Sequence, residues 1–131
     1  MNRPAGLVRS FLDAIAARDI DEVLACFSPE AIWQNVPHPA AVGHTEIAAM
    51  LGPILRRSNE VRWDLISAAY GENRVWLERI DRFWIDGEEY AVRCNGVFEI
   101  DPHAGVITEV RDYVDLGEWR ARLAGAGSLH P

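Results

Sequence analysis

Apolar residues recur at helical spacing through the first half of the chain and at strand spacing through the second. The stretch "RPAGLVRSFLDAIAAR" puts Leu7, Val8, Phe11, Leu12 and Ile15 on one stripe, with Pro4 near the start. "DIDEVLACF" opens with Asp19 and Glu22 at capping-box spacing and turns Ile20, Val23, Leu24 and Phe27 inward, which predicts a second helix. "AIWQNV" reads as a short strand. "HTEIAAMLGPILRR" resumes the helical period through Ile47, Met50, Leu51, Ile54 and Leu55, with a kink predicted at Pro53 beside Gly52. Strands follow at 61–70, 74–85, 88–100 and 106–115, separated by the turn signals "GEN", "DG" and "DPHAG". A short closing helix follows, capped by Asp115 with Glu118. Helices followed by a meander of strands predict an α+β fold. Its curved, mostly antiparallel sheet would enclose a pocket with the N-terminal helices. The 131 residues suit one domain, placed at 1–125, with a loose tail at 126–131.

Charge narrows the partners. A net charge of −7 repels phosphate backbones and anionic lipid, so neither nucleic acid nor a membrane is an expected partner. No apolar run is long enough to span a bilayer, and no secretory pattern opens the chain, so a cytoplasmic protein is expected. All 13 basic residues are arginine, which leaves no lysine for a Schiff base or a lysine-type phosphate loop. Cys26 and Cys94 lack CxxC spacing and read as free buried thiols. The four histidines lack metal-ligand spacing, so no metal is expected.

The alternation also puts charges where apolar residues belong. In the strand from Arg74, one face carries Val75, Leu77, Arg79, Asp81 and Phe83. The last strand groups Val106, Thr108, Val110, Asp112 and Val114, and the strand between them offers Val92, Cys94, Gly96, Phe98 and Ile100. Trp33 and Asn35 share a face of "AIWQNV". The expected pocket therefore holds two carboxylates and one guanidinium among apolar walls. Burial of an isolated charge is strongly unfavourable, so the three should pair, with the planar arginine bridging both acids. With both acids ionised the group carries a net −1, and one retained proton makes it neutral. Such a pair offers one base and one acid without a metal. Two other outcomes stay open on the residues alone. The trio could be a salt-bridge network that only orients the sheet, or a β-bulge could turn it to solvent.

Four segments, "WQNVPHP", "ERIDRF", "NGVFEI" and "ITEVRDYVD", resemble those of the limonene-1,2-epoxide hydrolase family, in family order and across essentially the whole chain. That family has the nuclear-transport-factor-like (SnoaL-like, cystatin-like cone) α+β fold. The resemblance implies that Asp112 is the general base on water, Asp81 the acid that protonates the epoxide oxygen, and Arg79 the bridge between them. It implies that Asn35 holds the water. Water attack and ring protonation would occur together and give a vicinal diol, with no cofactor and no covalent intermediate. Trp33 stands where the family usually has a water-orienting tyrosine, so its indole N–H is expected to help position the water, and Val110 stands where the family has a tryptophan. The implied partner is a small apolar epoxide, with Leu77, Phe83, Phe98 (or its neighbour Val97), Val110, Val114, Leu51 and Ile54 as pocket walls and the loop "VPHPAAVGH" at the entrance. Three alternatives remain: an epoxide-opening cyclase, a ketosteroid-isomerase-like enzyme, and a non-catalytic binding or dimerisation module. The face with Trp76, Ile80 and Trp84 predicts a homodimer, unless a helix of the same chain covers it.

Overall fold

Both predicted caps form. Asp19 Oδ1 accepts the Glu22 N–H at 3.1 Å and so starts α2 (Ile20–Ala25). Asp115 Oδ1 accepts the Glu118 N–H at 3.0 Å and starts α4 (Leu116–Ala124). The computed structural model describes residues 3–124, so the tail expected at 126–131 lies outside the described residues. Within them run α1 (Arg3–Ala16), α2, β1 (Phe27–Val36), β2 (Ala41–Val42), α3 (Gly43–Arg57), β3 (Glu60–Tyr70), β4 (Arg74–Ile85), β5 (Glu88–Asp101), β6 (Val106–Val114) and α4. The strands form one curved sheet in the order β2-β1-β6-β5-β4-β3. Every pairing is antiparallel except β1 with β6, so the sheet is mixed. The Asp86-Gly87 turn has positive φ at both residues, 53° and 81°, the conformation a two-residue hairpin favours. Among the described residues no helix is long and apolar enough to cross a membrane.

The core lies between the concave face and the helices. Phe11 of α1 is its hub, with ring centroids 5.4 Å from Phe98, 5.7 Å from Trp33 and 5.9 Å from both Phe27 and Trp63. The α3 helix runs through Pro53 and turns Ile47, Leu51 and Leu55 into the same core.

Three local expectations are corrected. Phe27 opens β1 and does not close α2, and β1 starts well before Ala31. Its register against β6 shifts between Phe27 and Ile32, and the exposed Pro29-Glu30 pair in that irregular stretch breaks the alternation and hid the strand. The β2 strand, only two residues long, gave no periodicity to detect. On β6, Glu109 pairs with Glu99 but Ile107 pairs with Ile100, which leaves Thr108 as an extra residue. Ile107, assigned by simple alternation to the outer face, is therefore fully buried, while Val106 and Thr108 are only half-buried. Asp112 lies beyond this bulge and keeps its inward orientation.

The convex face carries paired charge. Arg82 bonds Asp64 and Glu89, and Arg111 bonds Glu99 and Glu109. Trp76 is exposed there beneath Arg74, whereas Ile80 and Trp84 are half-buried, Trp84 under the Arg62 guanidinium.

Candidate active site

The ladder aligns the chemistry. Strand β4 stays in continuous register with β5, so no bulge turns its charges outward. Across the concave face, Trp63 of β3 pairs with Asp81 and Asp81 with Val92 of β5. In the next row Arg79 pairs with Cys94, which pairs with Val114. In the row after that Leu77 pairs with Gly96, Gly96 with Asp112 of β6, and Asp112 with Asn35 of β1. Arg79 thus stands between the rows of its two acids.

All three charged side chains are buried: Arg79 is 1% exposed, Asp112 3% and Asp81 6%. Arg79 Nε donates to Asp81 Oδ1 at 2.7 Å and Nη2 to Asp81 Oδ2 at 3.0 Å. Nη2 also reaches Asp112 Oδ2 at 3.0 Å and Cys94 Sγ at 3.2 Å. The guanidinium lies on the Trp63 ring, 4.5 Å from its centroid. Burial pushes the Asp81 carboxyl up to about 6, against the pull of Arg79 and with help from the Asp112 charge. Burial opposes the charge on Arg79, but Asp112 and Asp81 outweigh it and hold the proton more firmly than usual. Burial, then the nearby Asp112, pushes the Cys94 thiol up, so Cys94 stays an uncharged thiol.

Trp33 takes a role the sequence did not show. Its indole Nε1 donates to Asp112 Oδ2 at 3.1 Å, and the residue is 2% exposed. The N–H expected to orient a water instead holds the carboxylate. Indole has no acceptor to offer, so this single donor is fully committed.

A cavity of about 130 Å³ opens onto this cluster. Asp81, Asp112, Trp33 and Asn35 line it, as do four of the expected apolar walls: Leu51, Ile54, Phe83 and Val114. Leu77, Phe98 and Val110 are not part of its wall. They are fully buried in the core, where Phe98 meets Phe11. Val97 faces away from that core, on the opposite side of β5 from Phe98. The loop at 36–44 contributes no wall residue. The sequence reasoning missed Met50, Trp63, Val92, Cys94, Leu116 and Trp119 as lining residues. Trp63 was detectable, since alternation in β3 sets Val61, Trp63 and Leu65 on one face. Trp119, whose ring is 5.3 Å from Phe83, sits one turn after Leu116 on α4, a spacing that marks a covered helix face. Among the described residues no group of acids, histidines or cysteines is arranged to hold a metal ion.

The sequence profile of the SnoaL-like domain matches residues 8–110. The chain belongs to that family. Its fold is shared by epoxide hydrolases, polyketide cyclases and isomerases. An LEH-like epoxide hydrolase of M. tuberculosis is similar at 27% identity, with a TM-score of 0.71 over 92% of this chain and 88% of that one. A candidate SnoaL-like polyketide cyclase from Shewanella putrefaciens shares the fold at 16% identity, with a TM-score of 0.81 over 95% of this chain and 98% of that one. So does SalBIII, an epoxide hydrolase/cyclase-like enzyme of pyran ring formation in the polyether salinomycin. It is 14% identical, with a TM-score of 0.76 over 87% of this chain and 92% of that one.

Proposed function

We propose that this SnoaL-like protein is an epoxide hydrolase that adds water to a small apolar epoxide in one acid–base-catalysed step. The observation that carries the proposal is the Asp81–Arg79–Asp112 cluster at the cavity wall, with the Asp81 carboxyl raised to about 6 by burial. Asp112 accepts a proton from water as the water oxygen bonds to an epoxide carbon. The carbon–oxygen bond of the ring breaks, and its oxygen takes the proton of Asp81. The product is a vicinal diol. The proton gained by Asp112 then replaces the one lost by Asp81, so the cluster returns to its starting charge. Asn35, beside Asp112 across the parallel ladder, holds the attacking water. The likeness to the M. tuberculosis enzyme supports the same chemistry.

A second reading has its own support. Trp33 spends its N–H on Asp112, so Asn35 is left to hold water without it. A hydroxyl of the substrate itself could take the place of water and close a cyclic ether, consistent with the fold shared with SalBIII. The test is a panel of cyclic, aliphatic and hydroxy-epoxides in ¹⁸O-water, with Asp112→Asn as control. A labelled diol in a single turnover, reduced by about 10²–10⁴-fold in the control, is expected. An unlabelled cyclic ether would replace the hydrolase by the cyclase. No turnover of any epoxide would sink both.

A further inference from the structure

Gly96 lies in the middle of β5, between β4 and β6, with its bare side toward the concave face. A Cβ added there would stand 2.5 Å from Arg79 Nη1, 2.7 Å from Asp112 Oδ1 and 3.0 Å from Phe98 Cε1. The first two distances are shorter than any carbon makes with such atoms. Neither partner is free to swing aside. Arg79 is clamped by Asp81 and by the Trp63 ring, and Asp112 is held at Oδ2 by Trp33. Arg79 Nη1 and Asp112 Oδ1 are moreover the two buried polar atoms of the cluster with no hydrogen-bond partner among the described residues. Glycine inside a strand weakens it, and here the missing side chain is filled by the facing guanidinium and carboxylate.

We propose that Gly96 is a positioning residue for the cluster: its bare face provides the space in which Arg79 and Asp112 meet. Any side chain at 96 separates the arginine from that acid. The proposal rests on the reading of the cluster as an acid–base site, but its test needs no substrate. Facing Asp81 are Arg79 from its own strand, Asp112 from β6 and Cys94 from β5. Moving Asp112 away weakens its upward push on Asp81 and frees the Arg79 charge to act on Asp81. Both changes have the same sign.

The experiment is a ¹³C-carboxyl NMR titration of wild-type protein and Gly96→Ala, with far-UV circular dichroism as the folding control. The expected result is a folded variant in which the Asp81 midpoint falls by roughly half a unit or more. A folded variant with the wild-type midpoint overturns the proposal, because a purely structural glycine would change stability and leave the titration alone. If Gly96→Ala alone does not fold, two double variants decide. Rescue of folding by Asp112→Ala supports the proposal; rescue by Phe98→Leu alone, or by neither, overturns it. A wild type that titrates as expected but turns over no epoxide tells against the hydrolase and leaves the glycine's role standing.

Discussion

Two arginine–carboxylate networks occupy opposite faces of the same strands. On the convex face Arg82 bonds Asp64, and Arg111 bonds Glu99. On the concave face Arg79 bonds Asp81 and Asp112. The bond lengths are alike, between 2.7 and 3.0 Å. The acids respond in opposite ways. The bond from Arg82 holds the Asp64 carboxyl below its usual range, against partial burial. At Glu99 burial pushes up, but the bonds from Arg74 and Arg111 win and the carboxyl is lowered. At Asp81 burial wins over Arg79 and the carboxyl rises. Pairing with arginine is therefore not what makes a carboxyl an acid near neutral pH. Deep burial is, since Arg82 and Arg111 are likewise each shared by two carboxylates and still lower Asp64 and Glu99.

The sharpest way to break the contrast is to remove the inner cation. Arg79→Met leaves two buried carboxylates without a counter-charge and should destabilise the fold by about 3–5 kcal/mol at neutral pH. Urea unfolding at neutral pH and at about pH 5 checks it, because protonation at the lower pH should restore part of the loss. A loss that stays the same at both values would mean that packing against Trp63, not charge, is what Arg79 contributes.

The next effect concerns Asp81 alone. Its carboxyl sits near 6 in the folded chain and near 3.8 in the unfolded one. The folded state therefore holds a proton that unfolding releases. The stability from that proton is fully present below 3.8 and is lost as pH rises through 6. Over the whole window this comes to about 3 kcal/mol. Asp81→Asn removes the loss, so its stability relative to wild type should climb from about pH 4 to about pH 7 and then level off. Parallel curves for the two proteins would show that Asp81 is not raised. In turnover, the same carboxyl must be protonated to act as an acid, so activity should decline as pH rises past about 6.

Smaller again is Trp33→Phe, which keeps a ring in the core but deletes the N–H bonded to Asp112 Oδ2. Loss of a buried hydrogen bond to a charged group should cost about 1.5–3 kcal/mol by thermal or urea unfolding. An unchanged stability would mean that Arg79 alone holds Asp112 in place.

How much of this contrast was legible in the sequence follows from what each feature depends on. Two-residue alternation in β4 and β5 put Arg79 and Asp81 inward, and the structure keeps both strands in unbroken register. The caps at Asp19 and Asp115 are local spacings and were equally readable. The bulge at Thr108 depends on how β6 meets β5, which no local pattern encodes, and so Ile107 was misplaced. The pocket wall failed for a related reason. Face alone cannot distinguish Phe83, at the open end of the concave surface, from Phe98, which Phe11 covers. That distinction belongs to where the helices land. The bond from Trp33 to Asp112 joins residues 79 positions apart and likewise needed the tertiary structure.

The smallest predicted effect tests the outer half of the contrast. Arg111 bonds Glu99 and Glu109, and each of these side chains keeps between 23% and 34% of its exposure. Water still screens them, and holding long side chains in one geometry offsets much of the Coulomb gain. Arg111→Gln should therefore change stability by less than about 1 kcal/mol, and added salt should shrink even that difference. The inner cluster should be nearly indifferent to the same salt, because ions do not enter a site whose arginine side chain has no exposure. Equal salt dependence for Arg111→Gln and Arg79→Met would show that the two faces share one dielectric environment, and the explanation of the raised Asp81 carboxyl would fail with it.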